Sequence, residues 1–344
     1  MSHFRHGLVV GKFYPPHAGH HALIATAAAA CDRVTVVVAQ ATSESIPLHL
    51  RLAWLAEVHA DTGHVTFAGT YDDHPIDYTD PAAWEAHCAV FRAAIRAARP
   101  GDEAVDAVFS SEAYGDELAR RFGARHVCVD PERVRVRISG TAVRADPTAH
   151  WDLLAPAVRA WFARRVVVVG AESTGTTTLA RALARHFRLR GGVWGRTGWV
   201  PEYGRALTEQ KLATLRSVAG PAAAVDALRW TRDDFVTVVR EQNAAEEAAA
   251  RAGSPLLVCD TDAFATAVWE ERYLGAASPA VLAAGRRRVE GRRTAGTGAD
   301  LYLLTSDVGV PFTDDGMRDG EHLRSFMTGR FRPSYGPRAR PGSS

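Results

Sequence analysis

At 344 residues the chain is too long for a single small binding module and suits two domains of ordinary size. With 47% hydrophobic and 23% charged residues it lies far from the low-hydrophobicity, high-charge signature of disorder. Lys and Arg number 41 against 39 acidic residues, a net charge of +2, which argues against a general nucleic-acid or anionic-membrane surface and confines anion binding to local sites.

The N-terminus runs from Met1 directly into an apolar, strand-like segment, with no basic n-region, long h-region or cleavage site, and no stretch approaches 18 uninterrupted apolar residues. The expectation is a cytoplasmic protein with no export signal and no membrane span. Gly7 to Gly11 reads as a first strand, followed by a glycine-containing turn and an Ala-rich helix. Further strands are predicted at Val34 to Ala39, Val65 to Ala68, Ala107 to Phe109 and His126 to Val129. Helical stretches lie around Leu48 to His59, Pro81 to Ala98 and Ala113 to Phe122. This alternation predicts a parallel sheet covered by helices on both faces, a Rossmann-like α/β domain over residues 1–150.

Residues 151–164 read as a connecting helix, because Asp146-Pro147 closes one segment and Trp151 to Phe162 resembles a short helix. A second α/β unit over 165–331 follows, with strands near Val166 to Val169, Trp199 to Pro201, Pro255 to Cys259 and Asp300 to Leu304. Residues 332–344, rich in Pro, Gly and Ser, read as a disordered tail. Cys31, Cys88, Cys128 and Cys259 lie far apart with no CxxC spacing, a pattern of neither a zinc site nor a disulfide scaffold, and one that fits a reducing compartment.

Chemistry-bearing residues gather first at Gly11-Lys12-Phe13-Tyr14-Pro15-Pro16-His17-Ala18-Gly19-His20, where strand gives way to helix. A helix N-terminus offers free N–H groups and a positive dipole end to an anion. Gly19 admits close approach of a ligand, and His17 and His20 can direct imidazole N–H groups at one phosphate. Lys12 stands out because it and Lys211 are the only lysines. Taken alone, His17, His20 and His21 fit a solvated turn or a fortuitous metal-binding tract better than a phosphate site. A second segment, Ile138-Ser139-Gly140-Thr141-Ala142-Val143-Arg144, places Ser139 and Thr141 at a helix N-cap region with Arg144 just inside. By itself it is equally a capped helix.

The pair GKFYPPHAGH and ISGTAVR resembles the HxGH and ISxTxxR signatures of the nucleotidyltransferase superfamily. With Phe109 to Gly115 (FSSEAYG) and Thr141 to Pro147, residues 7 to 150 look most like the nicotinamide-nucleotide adenylyltransferase domain of bifunctional NadR-type proteins. The resemblance implies transfer of the adenylyl group of ATP to nicotinamide mononucleotide, with release of pyrophosphate. It implies that His17 and His20 meet the ATP phosphates, His20 nearest the α-phosphoryl group. Lys12 and Arg144 would bind phosphates, and Ser139 and Thr141 the β/γ end. Gly11, Phe13 and Gly19 would shape the nucleotide site, and Mg2+ would shield the triphosphate. Tyr78, Trp84 and Tyr114 could stack on a nicotinamide ring or serve as core aromatics.

In the second half, Arg165 to Leu179 runs strand, glycine-rich loop, helix, with GxxxxGK[ST] spacing from Gly170 to Thr177, but the lysine position is Thr176. Gly170, Ser173, Thr174, Gly175, Thr176, Thr177 and Thr178 would form the phosphate cradle; a tight structural turn is the other reading. Pro201 to Arg205, Cys259 to Asp262 and Asp307 to Asp319 look like the ribosylnicotinamide kinase half of the same family. The resemblance implies Mg2+ held by Thr177, Asp260 and Asp262, Asp260 or Asp262 as base for the ribose hydroxyl with Glu202 as the runner-up, and Arg318 as a lid over the phosphates. Separately, Glu202 could be a helix-end charge, Asp260 and Asp262 an Asx turn, and Arg318 a surface residue.

Two departures from the family pattern predict an impaired kinase half: Thr176 replaces the lysine, and the chain enters its Pro/Arg/Gly/Ser tail where a further helix, strand and adenine-side loop are expected, as after a C-terminal truncation. The implied partners are ATP, nicotinamide mononucleotide and ribosylnicotinamide, with self-association left open. Competing readings keep the first half as a transferase for pantetheine phosphate or FMN, or make the chain an NAD-sensing regulator. DNA binding is not expected, since six residues before the first strand are too few for a helix-turn-helix.

Overall fold

The segment Phe4–Gly11 becomes strand β1 and is buried without a break from His6 to Val10, the pattern of a parallel strand covered on both faces. It is followed by α1 (Ala18–Ala30), β2 (Cys31–Gln40), α2 (Leu48–Val58), β3 (Val65–Tyr71) and α3 (Pro81–Ala98). Then come β4 (Ala107–Ser110), α4 (Tyr114–Phe122), β5 (Arg125–Cys128) and the one-and-a-half-turn α5 (Gly140–Ala145). The computed structural model describes residues 3–77, 79–101, 103–130, 132, 134, 136–285, 301–318 and 320–335. It divides into two compact units, Met1–Val158 and Arg159–Ser344.

The first unit is a five-stranded sheet in the order β3-β2-β1-β4-β5, every pair parallel. Leu8 and Val10 pack with Trp84, Phe91, Ile95 and Leu118 on one face, and Val9 packs with Phe13, Ile24, Leu55 and Phe109 on the other. This is the Rossmann-like layering that the strand–helix alternation predicts. Strand order reverses at β1, whose neighbours run outward as β2-β3 on one side and β4-β5 on the other. Ligand crevices in open parallel sheets form at the carboxyl ends of such a switch point. Local sequence sets the helix ends: Asp80 caps α3 through the Ala82 N–H at 2.8 Å with Pro81 in the first turn, and Gly123, at φ 63°, ends α4 in the left-handed conformation.

A 3-10 turn (Trp151–Leu153) and α6 (Pro156–Phe162) precede the second unit's strand β6 (Arg164–Val169). Then follow α7 (Thr176–Arg188), β7 (Trp199–Val200), α8 (Tyr203–Ala219), α9 (Arg232–Ala252), β8 (Leu256–Asp260), α10 (Ala265–Leu274), β9 (Leu301–Leu304) and α11 (Arg324–Tyr335). Among the described residues the sheet has four parallel strands, β7-β8-β6-β9. The disordered tail expected from residue 332 is corrected over its first residues, because α11 continues to Tyr335. Met327 and Phe331, four apart on one face, are buried and carry the helix against the core, with Phe331 edge-on to Trp269 at 5.9 Å. The rest of that expected tail, 336–344, lies outside the described residues, as does Tyr78. Among the described residues no helix is long and apolar enough to cross a membrane.

Candidate functional site

At the carboxyl end of β1 a cavity of about 950 Å³ is lined by Gly11, Lys12, Phe13, His17, Gly19 and His20 from the first segment, and by Ser139, Gly140, Thr141 and Arg144 from the second. Trp84 and Tyr114 also line it. Trp84 is at the same time a core residue, and the Tyr114 hydroxyl donates to the Val10 carbonyl at 2.9 Å, so both rings have packing roles of their own.

His17 sits in extended backbone as the N-cap of α1, and its Nδ1 accepts from the His20 N–H at 3.4 Å. The two imidazoles stack at 3.7 Å between centroids and 19° between planes, and Phe13 packs on His20 at 4.8 Å. Phe13 holds φ 46°, a strained value for a bulky residue that is sustained by its burial at the sheet end. The stacked histidines are thereby fixed over the helix N-terminus, where N–H groups and dipole favour an anion.

Sequence reasoning missed the residues that hold the first segment in place. Lys12 Nζ lies 2.9 Å from Glu44 Oε1, and Arg51, fully buried, donates to Glu44 Oε2 at 2.6 Å and to the Lys12 carbonyl at 2.9 Å. Arg51 and Arg144 both lie on the Tyr14 ring, 4.4 and 4.2 Å from its centroid. Arg144 also donates to the Tyr14 carbonyl and, at 3.2 Å, to the Thr141 hydroxyl. Ser139 caps α5 by accepting from the Ala142 N–H at 3.1 Å. A Cβ on Gly140 would stand 2.7 Å from the Tyr14 carbonyl oxygen, so only glycine lets α5 approach the first segment this closely. The absence of a side chain in ISGTAVR was the one legible signal of that contact.

One titratable pair lies beside the site. His21 Nδ1 is 3.1 Å from His59 Nε2, and burial, with the neighbouring His59 adding to it, pushes His21 down to about 4. At the end of β3, burial acts to raise the Asp72 carboxyl, but hydrogen bonds from His87 and His74 outweigh it and hold Asp72 below the usual carboxylate range.

In the second unit the loop between β6 and α7 has Ser173 at φ 56° and Gly175 at φ 86°. A Cβ on Gly170 would stand 2.0 Å from the Thr305 hydroxyl at the end of β9. Thr174 donates to the Ala171 carbonyl at 2.7 Å, and Thr177 donates to Asp260 at 2.5 Å. Thr176 also bonds Asp260. Thr178 is exposed and takes no part in this cluster. Burial raises the Asp260 carboxyl against the lowering effect of these hydroxyls and of Arg181 and Arg205.

Glu202 keeps partial solvent exposure, yet crowding by protein, and next the Asp260 charge, push its carboxyl up to about 7. Asp262 Oδ1 accepts from the Ala265 N–H at 2.9 Å and Oδ2 from the Tyr302 hydroxyl at 2.8 Å. It is a buried anchor between α10 and β9. Arg318 reaches the loop, donating to Ser173 Oγ at 3.3 Å and to the Thr313 carbonyl at 2.6 Å. Two arginines not picked out from sequence also grip the loop. Arg324 donates to the Glu172 and Ser173 carbonyls at 3.2 and 3.0 Å, and Arg272 pairs with Glu172 at 2.5 Å.

Comparison with known proteins adds the following. A family described as an AAA domain matches residues 165–336. Two curated relatives, each a trifunctional NAD biosynthesis/regulator protein NadR, come from Salmonella typhimurium (strain LT2) and Escherichia coli (strain K12). Each is 28% identical over 211 residues, covering 58% of this chain and 48% of its own length. The chain thus spans about half the length of the curated relatives it matches. A crystal structure of NadR protein in complex with NR is similar at TM-score 0.66 and 22% identity, over 96% of this chain and 86% of that one. A second, in complex with NAD and AMP-PNP, is similar at 0.64 and 22%, over 96% and 88%.

Proposed function

This chain belongs to the AAA-domain family through residues 165–336 and is NadR-like in sequence and fold, and from that premise we propose that its first unit joins ATP and nicotinamide mononucleotide into NAD and pyrophosphate. The observation that supports it most is the meeting of His17 and His20 with Ser139, Thr141 and Arg144 around one cavity at the sheet's switch point. In this reading an oxygen of the acceptor phosphate attacks the α-phosphorus of ATP, that P–O bond forms, and the bond to the pyrophosphate oxygen breaks. The acceptor brings its own nucleophile, so the chain's part is alignment and charge neutralisation. His20 stabilises charge on the α-phosphoryl oxygens, stacked His17 and Phe13 fix its ring, and Lys12 and Arg144 bind phosphates. Glu44, buried between Lys12 and Arg51, sets where Lys12 can reach.

The second unit, in the same reading, binds ATP on the 170–177 loop and phosphorylates ribosylnicotinamide on its 5′-hydroxyl, weakly because Thr176 replaces the lysine. The oxygen donor set of Thr177 and Asp260, 2.5 Å apart, fits Mg2+, which when bound supplies charge neutralisation of the transferring phosphoryl group. Glu202, poised near neutral pH, is the group suited to take the hydroxyl proton, and Arg318 closes on the loop at Ser173.

A panel of mononucleotides and nucleosides with ATP and Mg2+, with pyrophosphate and ADP detected separately, tests both halves. NAD and pyrophosphate should form from nicotinamide mononucleotide, and His20→Ala should slow this by roughly 100-fold while leaving the fold intact. No NAD from folded protein, or pyrophosphate released only with pantetheine phosphate or FMN, would overturn the acceptor assignment. ADP formation dependent on ribosylnicotinamide should stay below about 1 per second.

A further inference from the structure

Away from the residues assigned above, three side chains meet on another wall of the same cavity. Asp72 follows the last residue of β3, His74 stands two residues on, and His87 projects from α3; all three line the cavity. Asp72 Oδ1 lies 2.9 Å from His74 Nδ1, and Asp72 Oδ2 lies 2.6 Å from His87 Nδ1. One donor atom from each residue falls within 4.8 Å of the other two. The Asp72 side chain is only 6% exposed.

The far side of the His87 ring fixes what its near side can do. His87 Nε2 is 3.1 Å from the Pro75 carbonyl, and because a carbonyl only accepts, Nε2 carries a proton. Nδ1, 2.6 Å from a carboxylate oxygen, then either donates a second ring proton to Asp72 or, with that proton gone, turns a lone pair toward it. Two lone pairs at that separation require a proton or a cation between them. An imidazole whose distal N–H is held by a backbone carbonyl is the arrangement in which metal-ligating histidines are oriented.

We propose that Asp72, His74 and His87 form a binding site for a divalent transition metal of the zinc class on the wall of the cavity. Two imidazole nitrogens and one carboxylate oxygen suit Zn2+, Co2+ or Ni2+, whereas Mg2+ and Ca2+ prefer oxygen throughout. Ligand bonds of about 2.1 Å at a tetrahedral angle set donor atoms roughly 3.3 Å apart. The contacts of 2.9 and 2.6 Å run to different Asp72 oxygens, and one donor atom from each residue lies within 4.8 Å of the other two, so on loading the close pairs part and the wider ones draw together, which His74 permits, being 45% exposed. Three protein ligands leave a fourth position, open to the cavity, for water or an anionic oxygen. This site is separate from Thr177 and Asp260, which lie in the other unit.

The test uses the full chain, freed of metal by chelator and dialysis, titrated with Co2+ and read by visible absorption and calorimetry. One Co2+ per chain should bind with ligand-field bands, be displaced by Zn2+, and resist a large excess of Mg2+. Asp72→Asn and His87→Gln should each weaken it 10- to 100-fold, and so should His74→Ala, whose exposed position leaves the fold intact if either buried variant fails to fold. His20→Ala should leave the bands unchanged. Absence of stoichiometric binding, binding that survives all three variants, or binding lost in His20→Ala would overturn the proposal and leave the trio as a hydrogen-bond network tying the loop to α3. The readout is metal alone, so it stands or falls independently of NAD formation.

Discussion

Thr177 donates its hydroxyl to Asp260 at 2.5 Å, joining the first turn of α7 to the last residue of β8. Asp260 is 3% exposed, so this bond satisfies a carboxylate that water scarcely reaches. Thr177→Val keeps the side-chain shape and removes the donor. It should lower the stability of the second unit by about 1–3 kcal/mol and abolish ribosylnicotinamide-dependent ADP formation, with NAD formation from the mononucleotide unchanged. Thermal melting and the two separate product assays check this.

Thr176 stands where a phosphate loop ordinarily has lysine. A charge-assisted contact is worth about 1.5–3 kcal/mol, so Thr176→Lys should speed kinase turnover by about 10- to 100-fold. Unchanged turnover would mean the loop already receives its positive charge from an arginine. Loss of activity in Arg318→Ala, but not in Arg181→Ala, would then identify which.

Glu202 has an ordinary value of 4.5 and is pushed up to about 7 in the fold. Between those limits the folded chain keeps a proton that the unfolded chain has lost, so stability falls as pH rises through this window. Glu202→Gln should therefore raise the melting temperature above pH 7 and have little effect below pH 4.5. Melting curves of both proteins across pH 4 to 8, an interval of roughly the width such a shift requires, measure it.

His21 shifts the other way, from 6.5 to about 4. Below pH 6.5 the unfolded chain gains a proton that folded His21 refuses, so the first unit loses stability as pH falls toward 4. His21→Leu, which fills the same space beside His59 without a titrating ring, should flatten that acid limb. Equal slopes in the two proteins would show that the loss originates elsewhere.

The strands and helices of the first unit were legible because their apolar runs are long and their helix starts are marked, as at Asp80-Pro81. Both signature segments were legible as a pair, through their resemblance to HxGH and ISxTxxR, since either one alone also fits a solvated turn or a capped helix. Glu44 and Arg51 were not, since a buried ion pair behind Lys12 depends on where α2 docks, which no local pattern states. Asp72, His74 and His87 were missed for a similar reason: DDH reads as a polar loop until α3 folds back and delivers His87. Arg324 and Arg272 looked like surface charge in an arginine-rich chain, and only the packing of α10 and α11 turns them toward the 170–177 loop. The helix through Tyr335 was hidden by the Pro and Gly content around it, although Met327 and Phe331 carried the helical spacing.

The contact of Gly140 with the Tyr14 carbonyl closes a loop of roughly 125 residues, a cost in chain entropy that grows only slowly with length but is met before the contact returns anything. Four of the five strands of the first sheet, β2 to β5, lie inside that loop, and β1 ends just before it. Loop closure of this length favours the sheet forming before the cavity closes: a nascent or partly refolded chain can have its core without its candidate site. Ligand binding, if followed in time, would report the end of folding of this unit, and a nucleotide present during refolding would stabilise the final step more than the assembly of the sheet.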